Sequence, residues 1–262
     1  MLLWSYFAAV LTEPGRVPPG WQPSDGDEEV RSAGGWRAVA PPSSAPPACA
    51  HPPSLPPQTA GLDDRSADPK QGRRFCRKCS AWKPDRTHHC SVCGRCVLKM
   101  DHHCVWVANC VGVYNYKFFL LFLFYTFVAT VFDALALLPD FLHFFRAASG
   151  GPEAHAATVA LVLLTVVLDM AFAASLLGFI VMHSNLVSQN MTTIEMYEKK
   201  KSIPWRYDFG KHKNFCEVFG SDRLYWLLPM HSTAHLAELD AAAGVGQWSA
   251  EGGGPFTLPT QQ

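Results

Sequence analysis

Seven of the nine cysteines in this 262-residue chain lie within residues 76–110, interleaved with histidines and basic side chains. Thiols clustered in this way bind metal ions, form disulfides or do chemistry. The order is Cys76-x2-Cys79-x9-His89-Cys90-x2-Cys93-x2-Cys96-x4-Asp101-His102-His103-Cys104-x5-Cys110. In pairs such as Cys76/Cys79 and Cys90/Cys93, one tight turn can present two thiolates to a single ion. Zinc prefers four such N/S ligands in a tetrahedron. Two sites of three cysteines and one histidine would consume six cysteines and two histidines, leaving one cysteine with two histidines beside it. A surplus cysteine near bound metal and a histidine is a candidate nucleophile, because positive charge lowers its pKa and a neighbouring base can take its proton. Spacing alone does not say which cysteine is spare, and a partition with four cysteines at one site remains open.

Two apolar runs follow. Residues 118–145 and 156–182 are each long enough to cross a bilayer as a helix. They explain why charged residues make up only 17% of the chain, against about 25% in an average soluble domain. The flank before the first run carries Lys70, Arg73, Arg74, Arg77, Lys78, Lys83, Arg86, Arg95, Lys99 and Lys117. The flank after the second carries Lys199, Lys200, Lys201, Arg206, Lys211 and Lys213, whereas the intervening loop has only Arg146 and Glu153. Both basic flanks are therefore expected in the cytosol, a reducing compartment where clustered thiols bind metal or do chemistry. The Lys199–Lys201 run reads as a membrane-surface anchor. Zero net charge and the two spans argue against nucleic acid as a partner.

Elsewhere the sequence says less. Residues 1–12 read as the remnant of a transmembrane helix, with no signal-peptide pattern. Residues 13–70 hold 13 of the 20 prolines and read as a disordered linker. Cys49 within it has no neighbouring ligands. Asp133 and Asp169 sit deep in the two runs, at offsets that bring them to similar depth in an antiparallel pair. At least one is expected to be protonated or to face a polar cavity. Ala174-x-x-x-Gly178 would permit close helix packing.

The stretch KPDRTHHCSVCGRCVLKM, then Asp101-His102-His103-Cys104, then VWVANCVGVYNYKFF resembles the DHHC-type protein S-acyltransferases, or palmitoyltransferases, with wording closest to plant-type members. The resemblance covers about residues 71–220. It extends to Thr192-Thr193-Ile194-Glu195, similar to the family's TTxE motif, and to Asn214, similar to a C-terminal asparagine that braces the family fold. It implies one zinc on Cys76, Cys79, His89 and Cys96, and another on Cys90, Cys93, His103 and Cys110. Cys104 is then the nucleophile, His102 its base and Asp101 the residue orienting that base. Thr193 is expected near Asp101, and Glu195 in a structural contact. His88 has no role and is read as a hydrogen-bonded structural histidine.

The expected fold class is an α-helical integral membrane protein with a cytosolic zinc-binding Cys-rich domain of small β-hairpins and loops. Its parts are a zinc domain at 71–115, spans at 116–145 and 156–184, and a luminal loop at 146–155. A cytosolic region with a disordered tail occupies 185–262. The expected activity moves a palmitoyl group from acyl-CoA to cysteines of cytosolic or membrane-associated proteins, with two structural Zn²⁺ and basic residues near the CoA phosphates. Family members have two spans before the zinc domain. Thr12-Glu13-Pro14-Gly15 resembles the Asp-Pro-Gly that follows the second of these, so an N-terminally truncated chain with an open acyl pocket is expected. A membrane zinc module that binds partners without catalysis is the alternative.

Overall fold

The computed structural model describes residues 1–23, 74–147, 156–198, 205 and 207–245. Most of the Pro-rich linker, residues 148–155 of the expected luminal loop at 146–155, the Lys199–Lys201 run and residues from 246 on lie outside the described residues. Helix α1 (Leu2–Leu11) precedes three two-stranded antiparallel hairpins: β1 (Arg74–Cys76) with β2 (Ala81–Lys83), β3 (His88–Cys90) with β4 (Arg95–Val97), and β5 (His102–Cys104) with β6 (Asn109–Val111). Two long helices follow, α2 (Tyr116–Ala147) and α3 (Ala156–Ser188). Then come α4 (Thr193–Glu198), α5 (Lys211–Phe219), a 3-10 turn at Arg223–Tyr225 and α6 (Thr233–Ala242).

The three hairpins are one unit repeated every 14 residues. Cys76, Cys90 and Cys104 each end a first strand, paired with Ala81, Arg95 and Asn109. Ser80, Gly94 and Ala108 share one place in the three turns, and all have positive φ, at 50°, 65° and 49°. Only Gly94 adopts that conformation freely; it costs a non-glycine residue about 1–2 kcal/mol. The turn is thus set by what the hairpins hold in common.

Helices α2 and α3 pack along one another, and α1 lies against α2. Their apolar side chains face outward: Phe132 is 73% exposed and Leu161 65%. A soluble bundle would bury such residues. The two are long and apolar enough to cross a membrane. Asp169 lies next to Asp133, the meeting that the sequence offsets require, and its Oδ2 has no hydrogen-bond partner among the described residues. The Ala174/Gly178 expectation fails. A Cβ added at Gly178 would meet nothing within 4 Å, so this pair is not what brings α3 against α2; Ala173, 8% exposed, lies on the buried side.

The hairpins hold α1 in place through amides. The last carbonyls of a helix lack intrahelical partners. Here the Asn109 side-chain amide donates to Val10 O at 3.1 Å and Thr12 O at 3.0 Å, and Asn115 donates to Ala9 O at 3.2 Å. Residues 13–23, read from the sequence as linker, are in fact docked. Glu13 pairs with Arg95, Leu98 N donates to Gly15 O at 3.0 Å, and Tyr114 N to Pro14 O at 3.3 Å. Proline-rich chain can still dock when its carbonyls accept hydrogen bonds, which is what happens here. Gly112 lies under this crossing, where a Cβ would come 2.5 Å from Pro14 O.

The described residues after 185 are folded as well. Helix α6 is capped by Ser232, which accepts from His235 N. It buries Leu239 and Ala243 against Leu98 and Val113, with Val17 and Trp21 packed alongside.

Candidate active site

Each hairpin gives one half of a site to its neighbour. Hairpin one supplies Cys76 and Cys79, and hairpin two answers with His89 and Cys96. Hairpin two supplies Cys90 and Cys93, and hairpin three answers with His103 and Cys110. Zinc bonds of about 2.3 Å to sulfur and 2.0–2.1 Å to nitrogen set tetrahedral edges of about 3.8 Å between sulfurs and 3.6 Å between sulfur and nitrogen. In the first cluster Cys79 and Cys96 Sγ are 3.8 Å apart, and Nδ1 of His89 is 3.5 Å from Cys76 Sγ. In the second, Nδ1 of His103 is 3.6 Å from both Cys90 and Cys110. The chain therefore carries two four-ligand clusters whose donor set and spacing fit a tetrahedral thiophilic ion.

The third hairpin breaks the pattern. Its counterpart of Cys79 and Cys93 is Val107, so Cys104 has no thiol partner and no following hairpin to complete a site. What remains is the amide cradle. In hairpin two, Cys93 N lies 3.4 Å from Cys90 Sγ. In hairpin three the backbone N–H groups of Trp106 and Val107 point at Cys104 Sγ in the same way. The turn that directs its amides at a metal-cluster sulfur in hairpin two directs them here at a sulfur outside both clusters.

His102 replaces the metal as the positive partner. Its Nδ1 is 2.6 Å from Asp101 Oδ2. Asp101 is 2% exposed and receives two further bonds, from Thr193 N and Thr193 Oγ1, each at 2.8 Å. Burial favours the neutral acid, but the bonds from His102 and Thr193 outweigh it and hold the Asp101 carboxyl below its ordinary range. An ionised carboxylate only accepts, so Nδ1 carries a proton and Nε2 is left facing Cys104. Burial pulls the imidazole pKa down, yet the Asp101 bond and Cys104 push it up to about 9. Burial likewise raises the Cys104 thiol, and the His102 bond with the two amides brings it below its ordinary value. The two shifts favour a thiolate–imidazolium pair.

Thr193 and Glu195 owe their positions to a capping box at the start of α4. Thr192 N donates to Glu195 Oε2 at 2.8 Å, and Glu195 N donates to Thr192 Oγ1 at 3.2 Å. The Glu195 carboxylate also takes both Nε and Nη2 of buried Arg86 at 2.7 Å. Arg86 bonds Asn190, and Glu217 joins Lys99 at 2.6 Å. This buried network joins the hairpins to α4 and α5. Asn214 bonds Ser188 O and Asp208 at 2.7 Å and accepts from Phe209 N, fixing the end of α3.

Sequence reasoning missed Arg86, Lys99, Asn190 and Glu217 as a unit. Arg86, Lys99 and Arg95 belong to the basic flank by sequence, and in the structure each is paired with an acid: Glu195, Glu217 and Glu13. The Thr-x-x-Glu spacing was the available signal, since it announces a helix start with a bound carboxylate. His88 holds in β3 the place His102 holds in β5. Replacing Thr193 by Val removes one charge-assisted bond from Asp101 and keeps the backbone bond. Such bonds are worth about 1.5–3 kcal/mol, so alkylation of Cys104 by iodoacetamide at neutral pH should slow by roughly tenfold or more, with metal content unchanged.

Known proteins match the region these residues define. A family model described as DHHC palmitoyltransferase matches residues 69–200. Probable protein S-acyltransferase 14 of Arabidopsis thaliana is 49% identical over 247 residues, spanning 94% of this chain and 73% of that protein. Probable protein S-acyltransferase 13 of the same plant is 46% identical over 245 residues, spanning 94% and 73%. The Homo sapiens palmitoyltransferase ZDHHC2 is 41% identical over 168 residues, spanning 61% of this chain and 44% of that protein.

Proposed function

The chain belongs to the DHHC palmitoyltransferase family, membrane-bound protein S-acyltransferases that move palmitoyl groups to cysteine, and on that premise we propose that Cys104 carries the acyl group in this protein. The observation behind the reading is the Asp101–His102–Cys104 constellation on a hairpin that has lost its second thiol. The acyl donor is palmitoyl-CoA. The Cys104 thiolate attacks its thioester carbonyl, the carbon–sulfur bond to CoA breaks, and the CoA sulfur leaves with the proton held on His102 Nε2. The neutral imidazole then takes the proton of a substrate cysteine. That thiolate attacks the Cys104 thioester, which restores the thiolate–imidazolium pair. One thioester replaces another, so the enzyme mainly supplies an activated sulfur and positioning.

The two four-ligand clusters hold zinc, whose contribution is to clamp the hairpins; the reacting groups are protein side chains. Cys104 belongs to a buried apolar cluster that includes Ala9, Val107, Tyr116, Phe118, Phe119 and Leu123, with Tyr6, Phe122, Leu176 and Ile180 packed against that cluster. The acyl chain runs from the sulfur into this apolar region between α1, α2 and α3, with α1 part of the membrane bundle. The hairpins and α4–α6 face the cytosol, as the basic flanks require. The acceptors are proteins that bring a cysteine to the membrane surface.

Purified protein in lipid nanodiscs, given labelled palmitoyl-CoA and a cysteine peptide, should take up hydroxylamine-sensitive label and pass it to the peptide. Cys104→Ser should do neither, at unchanged zinc content, while Cys216→Ser should behave as wild type. Transfer by Cys104→Ser would overturn the assignment.

A further inference from the structure

Two buried polar residues of the membrane helices have no part in this mechanism, yet they lie behind the catalytic histidine. His183, near the end of α3, is 2% exposed, and Tyr116, at the start of α2, is 8% exposed. Tyr116 Oη and His183 Nδ1 are 3.0 Å apart. Polar side chains in such helices are expensive unless paired, and they mark sites more often than they decorate a surface. The His183 ring lies 5.3 Å from Phe119 at 75°, and the His102 ring lies 5.1 Å from the same Phe119 at 70°. The rings of His102 and His183 are 6.2 Å apart.

A single hydrogen bond to Asp101 fixes Nδ1 of His102 but not the roll of its ring about that bond. The roll decides whether Nε2 points at Cys104 Sγ. Phe119 is the wall that restricts it, and His183 packs against both rings: the three centroids form a triangle with sides of 5.1, 5.3 and 6.2 Å, while Tyr116 holds His183. The chain thus serves the site twice within ten residues: His183 near the end of α3 flanks the imidazole, and Thr193 at the start of α4 grips Asp101.

We propose that His183, locked by Tyr116, is a positioning residue that sets the ring orientation of His102 through Phe119. The proposal rests on the reading of Cys104 as the acyl carrier and His102 as its base. The rival role is structural: the Tyr116–His183 bond would merely tie α2 to α3, and its loss would lower stability without changing chemistry.

The test is single-turnover acylation of the full chain in nanodiscs with palmitoyl-CoA, with zinc content and thermal unfolding measured on each variant. His183→Ala should lower the rate at saturating palmitoyl-CoA by about 10–100-fold, with the half-saturating concentration and zinc content unchanged. His183→Leu, which fills the space without a ring, should be impaired similarly and serves where His183→Ala loses zinc. His183→Phe restores a ring against Phe119 and should recover the rate to within about threefold of wild type. Wild-type rates in both His183→Ala and His183→Leu would overturn the proposal. So would equal impairment of His183→Phe and His183→Ala, or a raised half-saturating concentration with an unchanged saturating rate. If wild type acylates a residue other than Cys104, the underlying reading fails instead, and the two failures are separable.

Discussion

Replacing Cys90 by Ser is expected to abolish acylation of Cys104, although Cys90 does not touch the acyl donor. Cys90 and Cys93 lie on the second hairpin, and His103 and Cys110 on the third. An ion held by these four residues would clamp the two hairpins together. His103 is flanked in sequence by His102 and Cys104, so its position sets theirs. Four ligands at tetrahedral edges tolerate no hydroxyl in place of a thiolate without a large loss of affinity. Zinc per chain should fall from two to one. Hydroxylamine-sensitive label should fall at least about 10–100-fold, as for mutations in the support of a metal site. Both are read from one preparation, by atomic absorption and by label counting. Full label with one zinc would show that the third hairpin holds its shape unaided.

The second large effect is on stability. Glu195→Gln is expected to leave the Arg86 guanidinium buried with its nearest counter-charge removed; Glu217, 3.8 Å away, is already paired with Lys99. Breaking a buried pair from one side costs about 3–5 kcal/mol, enough to unfold the hairpin region of a marginal protein. Arg86→Met combined with Glu195→Gln should cost less than Glu195→Gln alone, because no charge is then stranded. The pH dependence has a definite sign. Burial tends to raise the Glu195 carboxyl, but Arg86 overrides it and holds the carboxyl below its ordinary value. Its contribution is therefore full above the unfolded value of about 4.3 and fades as pH falls through the folded one. Thermal unfolding in nanodiscs should show wild type and Glu195→Gln far apart at neutral pH and converging in the acid range.

Much of the candidate site was legible in the sequence: spacing pointed to metal ligands, and the family resemblance sorted them into two sets. Both four-ligand sets and the Asp101–His102–Cys104 run lie within one stretch of 35 residues, from Cys76 to Cys110. Counting left open which cysteine was spare, although the answer was written in the 14-residue repeat. Cys76 and Cys90 are followed three residues later by Cys79 and Cys93, whereas Cys104 is followed by Val107. The long-range partners were not legible. Arg86 and Glu195 are 109 residues apart, and nothing local to either tells a buried arginine from one facing the membrane surface. The docking of residues 13–23 was missed for a related reason. Proline content reports the missing donors of a segment but not whether its carbonyls find donors elsewhere. Tyr116 and His183 were passed over at the ends of spans, 116–145 and 156–184, that read simply as membrane helix.

The most direct measurement is to find which sulfur bears the acyl group. Wild-type protein is mixed with palmitoyl-CoA, quenched in acid, digested and read by tandem mass spectrometry. A single hydroxylamine-labile palmitoyl thioester on Cys104 is the predicted result, with the eight ligand residues unmodified. Palmitoyl on Cys216 or on any of the six ligand cysteines, with Cys104 still free to alkylate, would contradict the account.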